Sequence, residues 1–144
     1  MLRFAGLLAL AILLAACGGG PVRKVHPSTA SIQQLAVQPD GSWRLLLRIQ
    51  NYSTFSMHFT RIQAALTIDG KDVGTFDAAP EIDIVGSSGD VVEVAFRPSM
   101  EVRFGTEIAY ALKGTIDTRD PDENFKFETA SRLTPVPGVA DTWR

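Results

Sequence analysis

Few residues in this 144-residue chain could carry chemistry. It holds one cysteine, Cys17, and two histidines, His26 and His58. A thiolate is the strongest nucleophile and soft-metal ligand among side chains. Neither histidine, however, stands at ligand spacing from Cys17 or from the other, so no zinc site is expected. The acidic string Asp117, Asp120, Asp122 and Glu123 begins like a calcium loop. Such a loop needs glycine at its sixth position and glutamate at its twelfth. Counted from Asp120, those positions hold Phe125 and Ser131, and a solvated turn is the expectation. Ser87 and Ser88 sit between glycines, but a hydroxyl nucleophile needs a base, and nothing local brings His58 to them. No Gly-x-Ser-x-Gly elbow is present, and Gly18-Gly19-Gly20 lacks the Lys-Ser or Lys-Thr that closes a phosphate loop. These residues lead us to expect no catalytic group, no metal and no cofactor.

What distinguishes Cys17 is the sequence before it. Arg3 precedes an apolar run from Phe4 to Ala16, which three glycines and Pro21 then end. That run is shorter than the roughly 20 residues a membrane-crossing helix needs, and the layout is that of an export signal. Leu14-Ala15-Ala16-Cys17 resembles the lipobox of bacterial lipoproteins, with Leu three places before the cysteine and small residues between. The resemblance implies cleavage between Ala16 and Cys17 and a lipid-modified, palmitate-type anchor on the Cys17 thiol. Each buried methylene of such an anchor contributes about 0.8 kcal/mol, so several chains hold stably to a bilayer. Gly18, where some lipoproteins have Asp, implies an outer-membrane anchor facing the periplasm, with the inner membrane as the other destination.

Cleavage removes Arg3 alone of the 14 basic residues and none of the 16 acidic ones, leaving a formal charge of −3. Nucleic acid is therefore not an expected partner. With Cys17 lipidated, no intramolecular disulfide can form, and stability must come from packing. The expected organisation is a signal peptide over 1–16, the lipidated Cys17 and a flexible tether over 17–30, a folded domain over 31–132, and a Pro-rich tail over 133–144. The tether carries the basic pair Arg23-Lys24, and the tail carries Pro135, Pro137 and Trp143.

A period of two dominates the folded part. Trp43, Leu45, Leu47 and Ile49 alternate with more polar neighbours, as do Ile62, Ala64, Leu66 and Ile68. Successive side chains in a strand point to opposite faces, so these are half-buried antiparallel strands. Shorter alternations occur at Ile82 and Ile84, at Val92, Val94 and Phe96, at Ile108, Tyr110, Leu112 and Ile116, and at Phe125 and Phe127. Turn residues fall between them: Pro39-Asp40-Gly41, Asp69-Gly70, Gly86-Ser87-Ser88-Gly89 and Asp120-Pro121-Asp122. Asp69-Gly70 is the strongest hairpin signal, since a type I′ turn needs positive φ at both central residues. With a first strand near Ile32 to Gln38 and another over Val73 to Phe76, about seven to eight strands predict a β-sandwich, with a small barrel as the competing closure. A short helix or turn is expected near Ser99 to Phe104, where the alternation breaks after Pro98.

The stretch from Leu45 through Asn51-Tyr52-Ser53, then Phe59 to Ile62 and on to Asp69-Gly70-Lys71-Asp72-Val73-Gly74, resembles the type 2 late embryogenesis abundant (LEA) family. That family is also called the water-stress and hypersensitive-response domain. Its pattern is an apolar strand ending in an Asn-Pro-Asn-like turn, then a strand ending in an Asp-Gly hairpin. Asn51 matches the first turn position, while Tyr52 and Ser53 stand where Pro and Asn are usual. The resemblance implies an immunoglobulin-like or fibronectin-type-III-like sandwich without catalytic residues and with a stress-protective role. Asn51 itself is expected to be structural, because its short amide bonds nearby backbone and tolerates turn conformations.

Two functional classes fit these expectations. One is a stress-protective or client-binding module anchored at the cell envelope; the other is a structural accessory subunit of an envelope assembly or transport complex. A partner-binding loop is expected at Tyr52, Phe55 and Met57 if their apolar side chains reach solvent. The tail over 133–144 is a second candidate contact.

Overall fold

A computed structural model describes residues 18–20 and 22–144. The apolar leader, Ala16 and Cys17 lie outside the described residues, and so do the expectations that fall on them. Nine strands run in order: β1 (Thr29–Val37), β2 (Trp43–Asn51), β3 (Met57–Ile68), β4 (Lys71–Ala78), β5 (Ile82–Ile84), β6 (Ser88–Phe96), β7 (Ile108–Arg119), β8 (Glu123–Leu133) and β9 (Thr142–Trp143). They form two antiparallel sheets, one in the order β6-β2-β1-β9 and the other β4-β3-β7-β8 with β5 added beside β3. The sheets face each other across one apolar core, giving an all-β sandwich.

The core is the set of inward residues that the alternation marks. Leu45, Leu47 and Ile49 from β2 are fully buried against Phe59, Ile62 and Leu66 from β3 and Leu112 and Ile116 from β7. Three strands, β1, β3 and β4, break the simple period, each at a register shift; in β4 it leaves Val73 and Phe76, three apart, both buried. In β1 the shift lies between Ile32 and Gln34, so Ile32 and Leu35, three apart, both point inward. In β3 it lies between Phe59 and Arg61 and turns Phe59 and Ile62 to the same side. An extra residue in one strand flips the facing of the residues after it, as these positions need. At the first shift the Ile32 N–H, in a part of β1 that β9 does not cover, is taken up by the Tyr110 hydroxyl from the opposite sheet at 3.1 Å. Burial raises the pKa of that hydroxyl and keeps it protonated.

The Asp69-Gly70 hairpin forms as expected, with φ of 48° and 80° at its two turn residues. Of the short helix or turn expected near Ser99 to Phe104, the helix does not form, none occurring among the described residues, and the chain bends at Ser99 and Met100. That segment runs as an irregular loop because its aromatic is needed elsewhere: the Phe104 ring lies 5.2 Å from Trp43 and 4.6 Å from Trp143. The tail likewise does not stand apart. Leu133 closes β8, and β9 pairs Trp143 with Leu35 and Thr142 with Ala36 at the sheet edge. A two-residue edge strand tolerates the neighbouring prolines that would disrupt a central one.

Candidate functional site

The antiparallel register puts the start of β1, the end of β2, the start of β3 and the start of β6 at one end of the sandwich. Three irregular segments meet there: residues 22–28 before β1, the β2–β3 loop 52–56, and the β5–β6 turn 85–87. Asn51, fully buried, holds two of them. Its Oδ1 accepts the Ser53 N–H at 2.9 Å, and its Nδ2 donates to the carbonyls of Phe55 at 3.0 Å and Ile84 at 2.9 Å. This satisfies buried backbone groups where the chain leaves one sheet for the other.

Ser53 and Thr54 hold the third segment. The Ser53 hydroxyl accepts the His26 N–H at 2.9 Å, and its carbonyl accepts the Ser87 N–H at 2.9 Å. Thr54 Oγ1 accepts the Lys24 N–H and donates to the Val22 carbonyl, both at 2.8 Å, while the Thr54 N–H donates to the Lys24 carbonyl at 3.0 Å. The Arg23 guanidinium lies over the Phe55 ring, 4.3 Å from its centroid. Residues 22–28, expected as flexible tether, are thus latched onto the β2–β3 loop. Gly86 makes the close approach between turn and loop: a Cβ there would fall 2.5 Å from the Phe55 nitrogen.

Tyr52, Phe55 and Met57, expected together as one apolar loop, take three different environments. Met57 opens β3 and is 1% exposed, since its register opposite Ile84 turns it into the core. Phe55 is half-buried beneath Arg23, and only Tyr52, at 53%, is open to solvent. Its exposed company comes from Val85, Val22 and Val25.

A second cluster, on β3 and β5, escapes sequence reasoning because it depends on a non-local pairing. His58 stands opposite Asp83 on one side and Arg119 on the other. Its Nδ1 lies 2.7 Å from Asp83 and its Nε2 2.7 Å from Glu81, and Arg119 reaches the same Glu81 oxygen at 3.4 Å. The Glu81 bond, then the Asp83 bond, raise the His58 pKa. When protonated, the ring donates from both nitrogens, one bond to each carboxylate. Among the described residues no three His, Cys, Asp or Glu side chains are grouped to hold a metal ion. Ser87 is engaged through its backbone with Ser53, in keeping with a turn. At the opposite end a cleft of about 280 Å³ lies between the β3–β4 hairpin and the loop after β6, lined by Asp69, Lys71, Glu101 and Arg103 among apolar neighbours. Its charges are of both signs.

Known structures share this architecture. The solution structure of AT1g01470 from Arabidopsis thaliana superposes with a TM-score of 0.51 at 10% identity, over 85% of this chain and 87% of that one. At2g46140.1, a protein described as a late embryogenesis abundant candidate, superposes with a TM-score of 0.50 at 15% identity, over 88% of this chain and 76% of that one. The chain has an LEA-like fold. No protein-family profile matches its sequence, and no characterised protein does so significantly. The likeness is therefore one of architecture, and within it Asn51 occupies the strand-end turn where the sequence pattern placed it.

Proposed function

We propose that this protein is a non-catalytic LEA-type lipoprotein, anchored through Cys17 at the bacterial cell envelope and protecting or holding client proteins under stress. The observation that carries this reading is the conjunction of an LEA-like sandwich with the sequence Leu14-Ala15-Ala16-Cys17 just ahead of it. A stress-related role is suggested by the neighbour At2g46140.1. An outer-membrane site facing the periplasm is the reading that the Gly18 after Cys17 supports.

Crosslinking and pull-down from intact cells, wild type against Cys17→Ser, with membrane fractionation and mass spectrometry of the amino end, test this reading. Acyl chains on Cys17 with many substoichiometric captured proteins are the expected result. One reproducible stoichiometric complex would replace the client-binding role with that of an accessory subunit, and an unmodified Cys17 would remove the anchor.

A further inference from the structure

The latch at residues 22–26 has a geometric consequence for how the domain meets a membrane. A free tether from Cys17 to the start of β1 would let the domain wander, with a root-mean-square reach of about 20 Å and a contour of about 45 Å. The Val22 carbonyl, however, is fixed to Thr54 and the Lys24 backbone is bonded to the same residue at two points. Only five residue steps separate Cys17 from Val22, a span of at most about 18 Å. An acylated Cys17 sits at the bilayer surface, so the end of the sandwich built by Asn51 to Phe55 is held close to that surface.

That end also has the composition an interface favours. Seven large apolar side chains are exposed among the described residues, and four of them belong here: Val22 at 68%, Val25 at 40%, Tyr52 at 53% and Val85 at 67%. Gly86 presses the turn that carries Val85 against Thr54 and Phe55, and Ser87 bonds Ser53, so these side chains share one rim. Tyr is suited to the headgroup layer, where an apolar ring and a wet hydroxyl are both accommodated. Arg23 and Lys24 add positive charge where an anionic headgroup would lie, while Glu81, Asp83, Asp90, Asp120, Asp122 and Glu123, toward the same end, are opposed to it, Glu81 and Asp83 being in contact with His58.

We propose that this end of the sandwich is a lipid-docking surface, with Tyr52, Val85, Val22 and Val25 seated in the headgroup region and the opposite end, with its cleft, turned to the aqueous space. The proposal rests on the lipidation of Cys17. The orientation would leave the loop around Met100 free for a soluble client.

The test uses the full acylated protein in phosphatidylcholine vesicles carrying a phosphatidylglycerol fraction. Lipidation blocks the native thiol, so a second cysteine is a unique labelling site. An environment-sensitive fluorophore is attached at Tyr52→Cys, at Val85→Cys and, for the far end, at Met100→Cys, and quenching by bromine-bearing lipid is measured. The expected result is several-fold stronger quenching at positions 52 and 85 than at 100. Equal, weak quenching at all three in protein whose acylation is verified by mass spectrometry would overturn the docking surface and leave the lipoprotein reading intact. Protein recovered without acyl chains would overturn both.

Discussion

The Asn51 amide, at the end of β2, donates to the carbonyl of Ile84 at the end of β5, 33 residues later and in the opposite sheet, at 2.9 Å. One side chain thereby ties the two sheets together at the end where the latch lies. Because Asn51 is wholly buried and its partners are backbone groups, removing the amide leaves a donor and two acceptors unpaired away from water. Asn51→Ala is expected to lower stability by about 2–4 kcal/mol in urea unfolding. Asn51→Asp keeps the acceptor for Ser53 but sets a carboxylate against two carbonyls. It is expected to be at least as destabilising near neutral pH and to recover part of the loss in acid, where a protonated carboxyl can donate again.

How much of the fold is legible in the sequence differs from residue to residue for physical reasons. Trp43, Leu45, Leu47 and Ile49 sit in an unbroken strand, so a period of two reads out their burial directly. In β1 the register shift between Ile32 and Gln34 puts the alternation out of phase halfway, which is why that strand reads poorly. The role of Asn51 is legible because an Asx turn is local, with Ser53 only two residues on. His58 with Glu81 and Asp83, and Thr54 with Val22 and Lys24, are contacts over more than 20 residues that only the folded topology creates. Pro135 and Pro137 suggest a free tail around Trp143 because they argue against a central strand. They do not argue against the short edge strand that forms.

His58 makes the β3–β5 junction sensitive to pH. Its partners Glu81 and Asp83 raise its pKa above the ordinary value of about 6.5, against the opposing charge of Arg119. A group whose folded pKa is raised binds its proton more tightly in the folded state. Its contribution is therefore complete below about pH 6.5 and is lost as pH rises through the higher folded value. The stability difference between wild type and His58→Gln should be largest in mild acid and shrink on going to alkaline pH. A difference that is flat across that range would show that the two carboxylates do not act through the imidazolium.

Trp143 tests the closure of the far end. It is 8% exposed and packs on Phe104, whose ring in turn packs on Trp43. Its indole N–H has no hydrogen-bond partner among the described residues. Trp143→Ala opens a cavity in that stack and is expected to lower stability by about 3 kcal/mol. Trp143→Phe gives up no hydrogen bond and keeps the ring contact, so a loss below about 1 kcal/mol is expected. Equal losses for the two variants in chemical unfolding would mean that the N–H is engaged after all.

Thr54 separates the latch from the stability of the sandwich. Thr54→Val is nearly isosteric and leaves the Thr54 backbone bond to Lys24 in place, but it removes the hydroxyl that receives the Lys24 N–H and donates to the Val22 carbonyl. Thr54 lies in a loop outside the buried core, so midpoint stability should change little. The segment over 22–26 should instead open more readily, by roughly tenfold for about 1.4 kcal/mol of lost bonding. Hydrogen exchange at the Lys24 amide, or trypsin cleavage after Arg23 and Lys24 compared with cleavage inside the domain, reports that opening. If both stay at wild-type rates, the Ser53–His26 bonds and the Arg23–Phe55 contact suffice to hold the latch, and the domain would keep its short reach from Cys17 even in the variant.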